Sequence, residues 1–126
     1  MRSARGKAAV AQGASFEEQV AELYRLLGAE VTRNIEIAHK KVDIFAVFPV
    51  PGGYATHKVI VECKDEKRAV QQNQRVMQFH GLLNSARKLG LADSAEIITR
   101  VPWGDEARGY AKENGIGLLT YAEKVV

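Results

Sequence analysis

The spacing of hydrophobic positions changes several times along the chain. In SFEEQVAELYRLLG, Phe16, Val20, Leu23 and Leu27 recur at helical intervals and predict a helix with one core-facing stripe. Ser15 and Glu18 have capping-box spacing, and Gly28 is a good stop. The period then shortens to two. EVTRNIEIA carries Val31, Ile35 and Ile37 in a broadly alternating pattern, KVDIFAVF is apolar on both faces except at Asp43, and HKVIVECK is rich in β-branched residues. PVPGGYAT, with two prolines and two adjacent glycines, is a turn between the second and third of these strands. A long helix follows in AVQQNQRVMQFHGLLNSARKLG, with Val76, Phe79, Leu83 and Ala86 as its stripe and Gly90 as its end. SAEIITRV is a fourth strand, WGDEARGYAKENG a third helix with Ala107, Tyr110 and Ala111 facing in, and IGLLTY a last strand.

The order αβββαβαβ predicts an α/β fold: an antiparallel meander, then strands separated by helices, forming one mixed sheet of about five strands flanked by helices. The length of 126 residues and 46% hydrophobic content fit one domain with one core. Residues 1–14 have no clear period and carry Arg2, Arg5 and Lys7. They read as a flexible basic arm or a solvated tail, leaving 15–126 as the single domain. No apolar run is long enough to span a membrane, and the N-terminus lacks the apolar stretch of a secretory signal. Cys63 is the only cysteine, so no intrachain disulfide forms, and a reducing cytoplasm is expected. A net charge of +3 and a pI near 9.1 tilt the chain mildly toward nucleic acid.

One stretch breaks the logic of a buried strand. HKVIVECKDEK begins with Val59, Ile60 and Val61, then places Glu62 and Lys64 on one face, with Cys63 pointing the other way. If the turn before it closes a hairpin, Asp43, early in the preceding strand, meets both charges at one edge of the sheet. Burying unpaired charge is costly. A hard cation such as Mg²⁺ removes that cost, because it takes one or two carboxylates and fills its shell with water and phosphate oxygens. Lys64 then stands where it would stabilise an attacked phosphate or hold a water in line. The plain alternative is an exposed Glu–Lys pair with Asp43 as a turn residue, but the apolar flanks and the position of Asp43 one hairpin earlier weigh against it.

This arrangement resembles the PD-(D/E)xK nuclease superfamily, in its archaeal-type Holliday junction resolvase and Mrr-like restriction endonuclease branches. The resemblance covers residues 13–121, with Asp43 and VECK at the positions of the family motif. It implies a restriction-endonuclease-like core and phosphodiester hydrolysis leaving a 5′-phosphate and a 3′-hydroxyl. It further implies metal ligation by Asp43, Glu62 and the Cys63 backbone carbonyl, assistance from Glu17 in GASFEEQV, and Lys64 as support of the attacking water. The cofactor implied is Mg²⁺, with Mn²⁺ expected to substitute. Gln74 or Gln78 on the second helix would lie near the site, though helix glutamines are commonly just solvated. The segment NIEIAHKKVD lacks the Gly and Ser that resolvases often carry before the catalytic Asp, so no serine is assigned.

Other residues carry less chemistry. Cys63 faces away from Lys64 and reads as a small core residue. His39, His57 and His80 lack zinc-ligand spacing. Lys40 and Lys41 beside His39 are candidate phosphate contacts, together with Arg2, Arg5 and Lys7. Trp103 and Tyr110 read first as core, and as base-stacking candidates second. The expected function is a Mg²⁺-dependent DNA endonuclease, foremost a homodimeric Holliday junction resolvase on branched DNA. An Mrr-like restriction-type endonuclease is the alternative, and a catalytically inactive DNA-binding module is the rival from another class.

Overall fold

A computed structural model describes residues 12–65 and 73–125, with side chains from residue 16 to 65 and from 75 to 125. Among these, α1 spans Gln12–Leu26, β1 Glu30–Ile37, β2 Lys40–Pro49, β3 Thr56–Lys64, α2 Asn73–Lys88, β4 Ser94–Thr99, α3 Asp105–Glu113, β5 Ile116–Thr120 and α4 Tyr121–Val125. The strands form one five-stranded sheet in the order β1-β2-β3-β4-β5. The β1–β2 and β2–β3 pairs are antiparallel, while β3–β4 and β4–β5 are parallel. The mixed sheet expected from the element order is therefore present. The arm with Arg2, Arg5 and Lys7, and the side chain of Gln74, lie outside the described residues.

Helices cover both faces. On one side, Phe16, Val20, Ala21 and Tyr24 of α1 pack on Ile44, Val59, Val61 and Ile98. On the other, Val76, Phe79, Leu83 and Ala86 of α2, with Ala107 and Ala111 of α3, pack on Ile60, Ala95, Ile97 and Ile116. The α2 stripe is the one the helical spacing marks out, whereas in α1 only Phe16 and Val20 of the expected stripe belong to the cluster, joined by Ala21 and Tyr24. Three local expectations are corrected. Residue 15 lies inside α1, which begins at Gln12, so Ser15 and Glu18 are not a capping box. Leu27 lies past the helix end and is 48% exposed rather than core-facing. The last strand yields to α4 at Tyr121, where Thr120 and Glu123 exchange bonds: Thr120 N–H donates to Glu123 Oε1 and Glu123 N–H to Thr120 Oγ1.

Alternation along β1 and β2 breaks at one level, and this break positions the site. Ile44 and Ala46 belong to the α1 face, yet Val42 belongs to the α2–α3 face. In β1, Val31 lies on the α1 face but Ile35 and Ile37 lie on the other. Strict alternation would keep each set on one face. Asn34, with φ 54, lies between the Arg33–Ile44 and Ile35–Val42 pairs and takes up the change. Asp43 lies opposite it, where β2 leaves β3, since their register ends at Ile44–Val61.

Candidate nuclease site

Past Val61, β3 has no register partner in β2. The Asp43 carboxylate takes that place, with Cys63 N–H donating to Asp43 Oδ2 at 2.9 Å. An acid at the point of divergence thus ties the two strands together. Beyond Ile60 the period of two sends Glu62 and Lys64 to the α2–α3 face and Cys63 to the α1 face, as the spacing predicted. Lys64 Nζ lies 3.0 Å from Glu62 Oε2. Glu17, in the first half of α1, approaches from the opposite face and accepts a bond from Arg33 Nη2 at 2.6 Å.

The acids repel one another through Asp43. Burial, above all, raises its carboxyl from the ordinary aspartate range. The Cys63 N–H opposes this, Glu62 and Glu17 raise it further, and Lys64 lowers it. Three acids from three elements are therefore close enough to interact, with two of them held by cations. Cys63 is pushed well above the usual thiol range by burial first, then by Asp43, Glu17 and Glu62. A thiol that resists ionisation so strongly is no nucleophile.

The sites expected to act together are brought together: Asp43, Glu62, Lys64 and Glu17 share one end of the sheet. Among the described residues no group of three His, Cys, Asp or Glu side chains converges into a ready cation cage. The donor set still fits a hard divalent cation, which needs only one or two carboxylates. The donors that fit are the Asp43 carboxylate, fixed by the Cys63 N–H, and the Glu62 carboxylate on the neighbouring strand. Lys40 and Lys41 start β2 after a tight turn in which Ala38 and His39 both have positive φ, 50° and 69°. They line a groove with Glu62 and Lys64, and Gln78 of α2 lies along it. Trp103 is buried, as its core reading required, and Tyr110 is partly so.

Two cations went unread in the sequence. Arg33 holds Glu17, and its Nε is buried without a partner among the described residues. Arg100, at the end of β4, donates to Asp65 just beyond β3 and lies 4.5 Å over the Phe16 ring. Nothing in TRNIE or ITRVP marks these arginines, because each depends on a neighbour distant in the chain.

The Mrr_cat restriction endonuclease family model matches residues 9–123. No curated protein matches the chain. Among solved structures, a protein of unknown function, AF1548, superposes with a TM-score of 0.69 at 22% identity, over 84% of this chain and 56% of that one. A repair endonuclease from Pyrococcus abyssi gives 0.65 at 18%, over 84% and 45%. The DNA modification-dependent restriction endonuclease AspBHI gives 0.59 at 16%, over 88% and 29%. The likeness to these structures is one of fold. The chain spans about half or less of the length of each.

Proposed function

The chain belongs to the Mrr_cat restriction endonuclease family, and on that premise we propose that it is a divalent-metal-dependent DNA endonuclease acting on branched DNA as a homodimeric Holliday junction resolvase. The observation that carries the nuclease reading is the meeting of Asp43, Glu62 and Glu17 beside Lys64 where β2 and β3 part. Asp43 and Glu62, with the Cys63 carbonyl, would hold Mg²⁺ or Mn²⁺, and Glu17 would assist. The bound cation supplies charge for the phosphate oxygens and a more acidic water.

The chain's own residues supply the rest. The Cys63 N–H fixes the Asp43 carboxylate in one orientation. Lys64 Nζ is steered by Glu62 at 3.0 Å and donates toward an attacking water or a non-bridging oxygen. Arg33 holds Glu17 in one orientation. Water attacks phosphorus, the P–O3′ bond breaks, and a proton passes to the departing 3′-oxygen, leaving a 5′-phosphate.

Two features support the choice of branched DNA. The cations around the site, Lys40 and Lys41 among them, suit phosphates rather than base edges. One catalytic set per chain needs a second copy to cut two strands symmetrically. The family match favours a second reading, restriction-type cleavage of linear duplex. Cleavage of a four-way junction and of its matched linear duplex, with and without Mg²⁺, decides between them. Paired symmetric cuts in the junction alone support the resolvase, and equal cutting of both supports the restriction-type enzyme. No cutting of either in Mg²⁺ or Mn²⁺ overturns the nuclease reading. Light scattering showing a monomer overturns the dimer.

A further inference from the structure

Glu62 and Lys64 do not end on open solvent. They lie at one wall of a groove of about 710 Å³ between the sheet and α2. That volume is in the range of small-ligand sites. Its walls are divided by chemistry: Phe79, Leu82, Ile97 and Trp103 are apolar, whereas Lys40 and Lys41 bring positive charge from the β1–β2 hairpin. Gln78 and Ser85 add polar groups along α2.

Two details of the groove are not explained by folding. Gly81 lies inside α2, has no left-handed φ, and a Cβ there would meet nothing within 4 Å. A mid-helix glycine costs about 1 kcal/mol relative to alanine, and no internal crowding requires it here. Its absent side chain leaves groove space open. Gly109 of α3 is equally unobstructed, so the coincidence of such a glycine with the cavity of Glu62 and Lys64 points to a ligand, and the glycine alone does not. Second, Trp103 is 4% exposed, and its indole Nε1 is a buried donor with no acceptor among the described residues. Native folds leave few such donors unpaired.

We propose that this groove takes one unstacked nucleotide of the DNA strand being cut, next to the phosphate presented to Glu62 and Lys64. The inference rests on the nuclease reading above and deepens it by naming the feature of DNA that is recognised. A nucleotide combines an anionic phosphate, which the lysines would hold, with a flat base, which the apolar wall and the bare helix face at Gly81 would accept. A base stacked within a duplex does not reach a recess of this kind, so the groove selects DNA in which stacking is interrupted, at a branch point or at an unpaired nucleotide.

The test measures binding in chelator, so that cleavage chemistry is not the readout. A duplex with one unpaired 2-aminopurine is compared with its fully paired match by anisotropy and by 2-aminopurine emission. Wild type binds the unpaired form about tenfold more tightly, in the range that stacking one base provides, with a change in emission. Gly81→Phe and Ser85→Trp, both at exposed helix positions, fill the groove and bring that ratio close to one. Affinity for paired duplex and the melting temperature stay as in wild type. Equal affinities in wild type overturn the proposal. So do variants that keep the preference, or that lose both DNAs to the same degree. Mg²⁺-dependent cleavage of the same two DNAs is assayed in parallel. Absence of any cutting overturns the nuclease reading, while the binding ratio still decides the groove.

Discussion

Two charged clusters lie on the sheet, and they are matched to different degrees. On the α1 face, Glu96 in β4 accepts a bond from the Tyr24 hydroxyl and lies 2.9 Å from Lys124 Nζ, which also lies 5.0 Å over the Tyr24 ring. This single acid is matched by a cation and a donor from two helices. Near the start of β2 and the end of β3, Asp43 faces Glu62 and Glu17, and burial raises its carboxyl. The first cluster fastens α1 and α4 to the sheet. The second pairs Glu62 with Lys64 and Glu17 with Arg33, while the buried Asp43 carboxylate is held by the Cys63 N–H. Charge that completes a fold is matched by the fold, whereas charge kept for chemistry is left to be matched by substrate and cation.

The comparison is broken most severely at the open cluster. Asp43→Asn or Glu62→Gln is expected to lower cleavage by more than about 10³-fold, beyond the usual loss from one stabilising donor, with circular dichroism and DNA binding retained. Near-normal cutting by either variant in Mg²⁺ would show that these acids are structural. Next comes Lys64. Lys64→Ala should lose about 10²–10³-fold in turnover, and Lys64→Arg most of the activity as well, because guanidinium geometry differs from that of an ammonium group. Single-turnover rates at saturating metal check this; a wild-type rate for Lys64→Ala would make the lysine a mere surface partner of Glu62.

The matched cluster should respond in stability and not in chemistry. Tyr24→Phe removes a bond to a charged acceptor and should cost about 1–3 kcal/mol in urea unfolding. Its cleavage rate should stay that of wild type when measured well below the melting transition. A rate loss there without a stability loss would place Glu96 in the active machinery.

The smallest expected effect has the opposite sign. Because Asp43 is raised in the folded protein, that state holds the proton more tightly than the unfolded chain does. Ionised Asp43 therefore destabilises the fold. The penalty is fully present above the folded pKa and disappears as pH falls toward the ordinary aspartate value. Asn keeps an oxygen for the Cys63 N–H. Metal-free Asp43→Asn should thus melt higher than wild type at neutral pH, on the order of 2 °C, with the gap closing near pH 4. Calorimetry in chelator from pH 4 to 8 measures it. A gap that widens on acidification would mean Asp43 is stabilised by its surroundings.

The period of apolar residues alone determined three of the helices and the five strands in their order along the chain, since helix stripes and strand alternation are local properties, whereas the short α4 at Tyr121–Val125 left no such period. It determined too that Glu62 and Lys64 share a face with Cys63 opposite, because a period of two allows nothing else. The tertiary structure decided the rest. That β1 and β2 change faces at Asn34 and Asp43 is invisible in the alternation, as Val31, Ile35 and Ile37 keep their spacing while their partners change. That Asp43 takes the place of a missing strand bond depends on where β2 leaves β3. The roles of Arg33, Arg100 and Tyr24 depend on residues 16, 35 and 72 positions away. Such contacts form only when the sheet brings distant segments side by side, and local pattern holds no record of them.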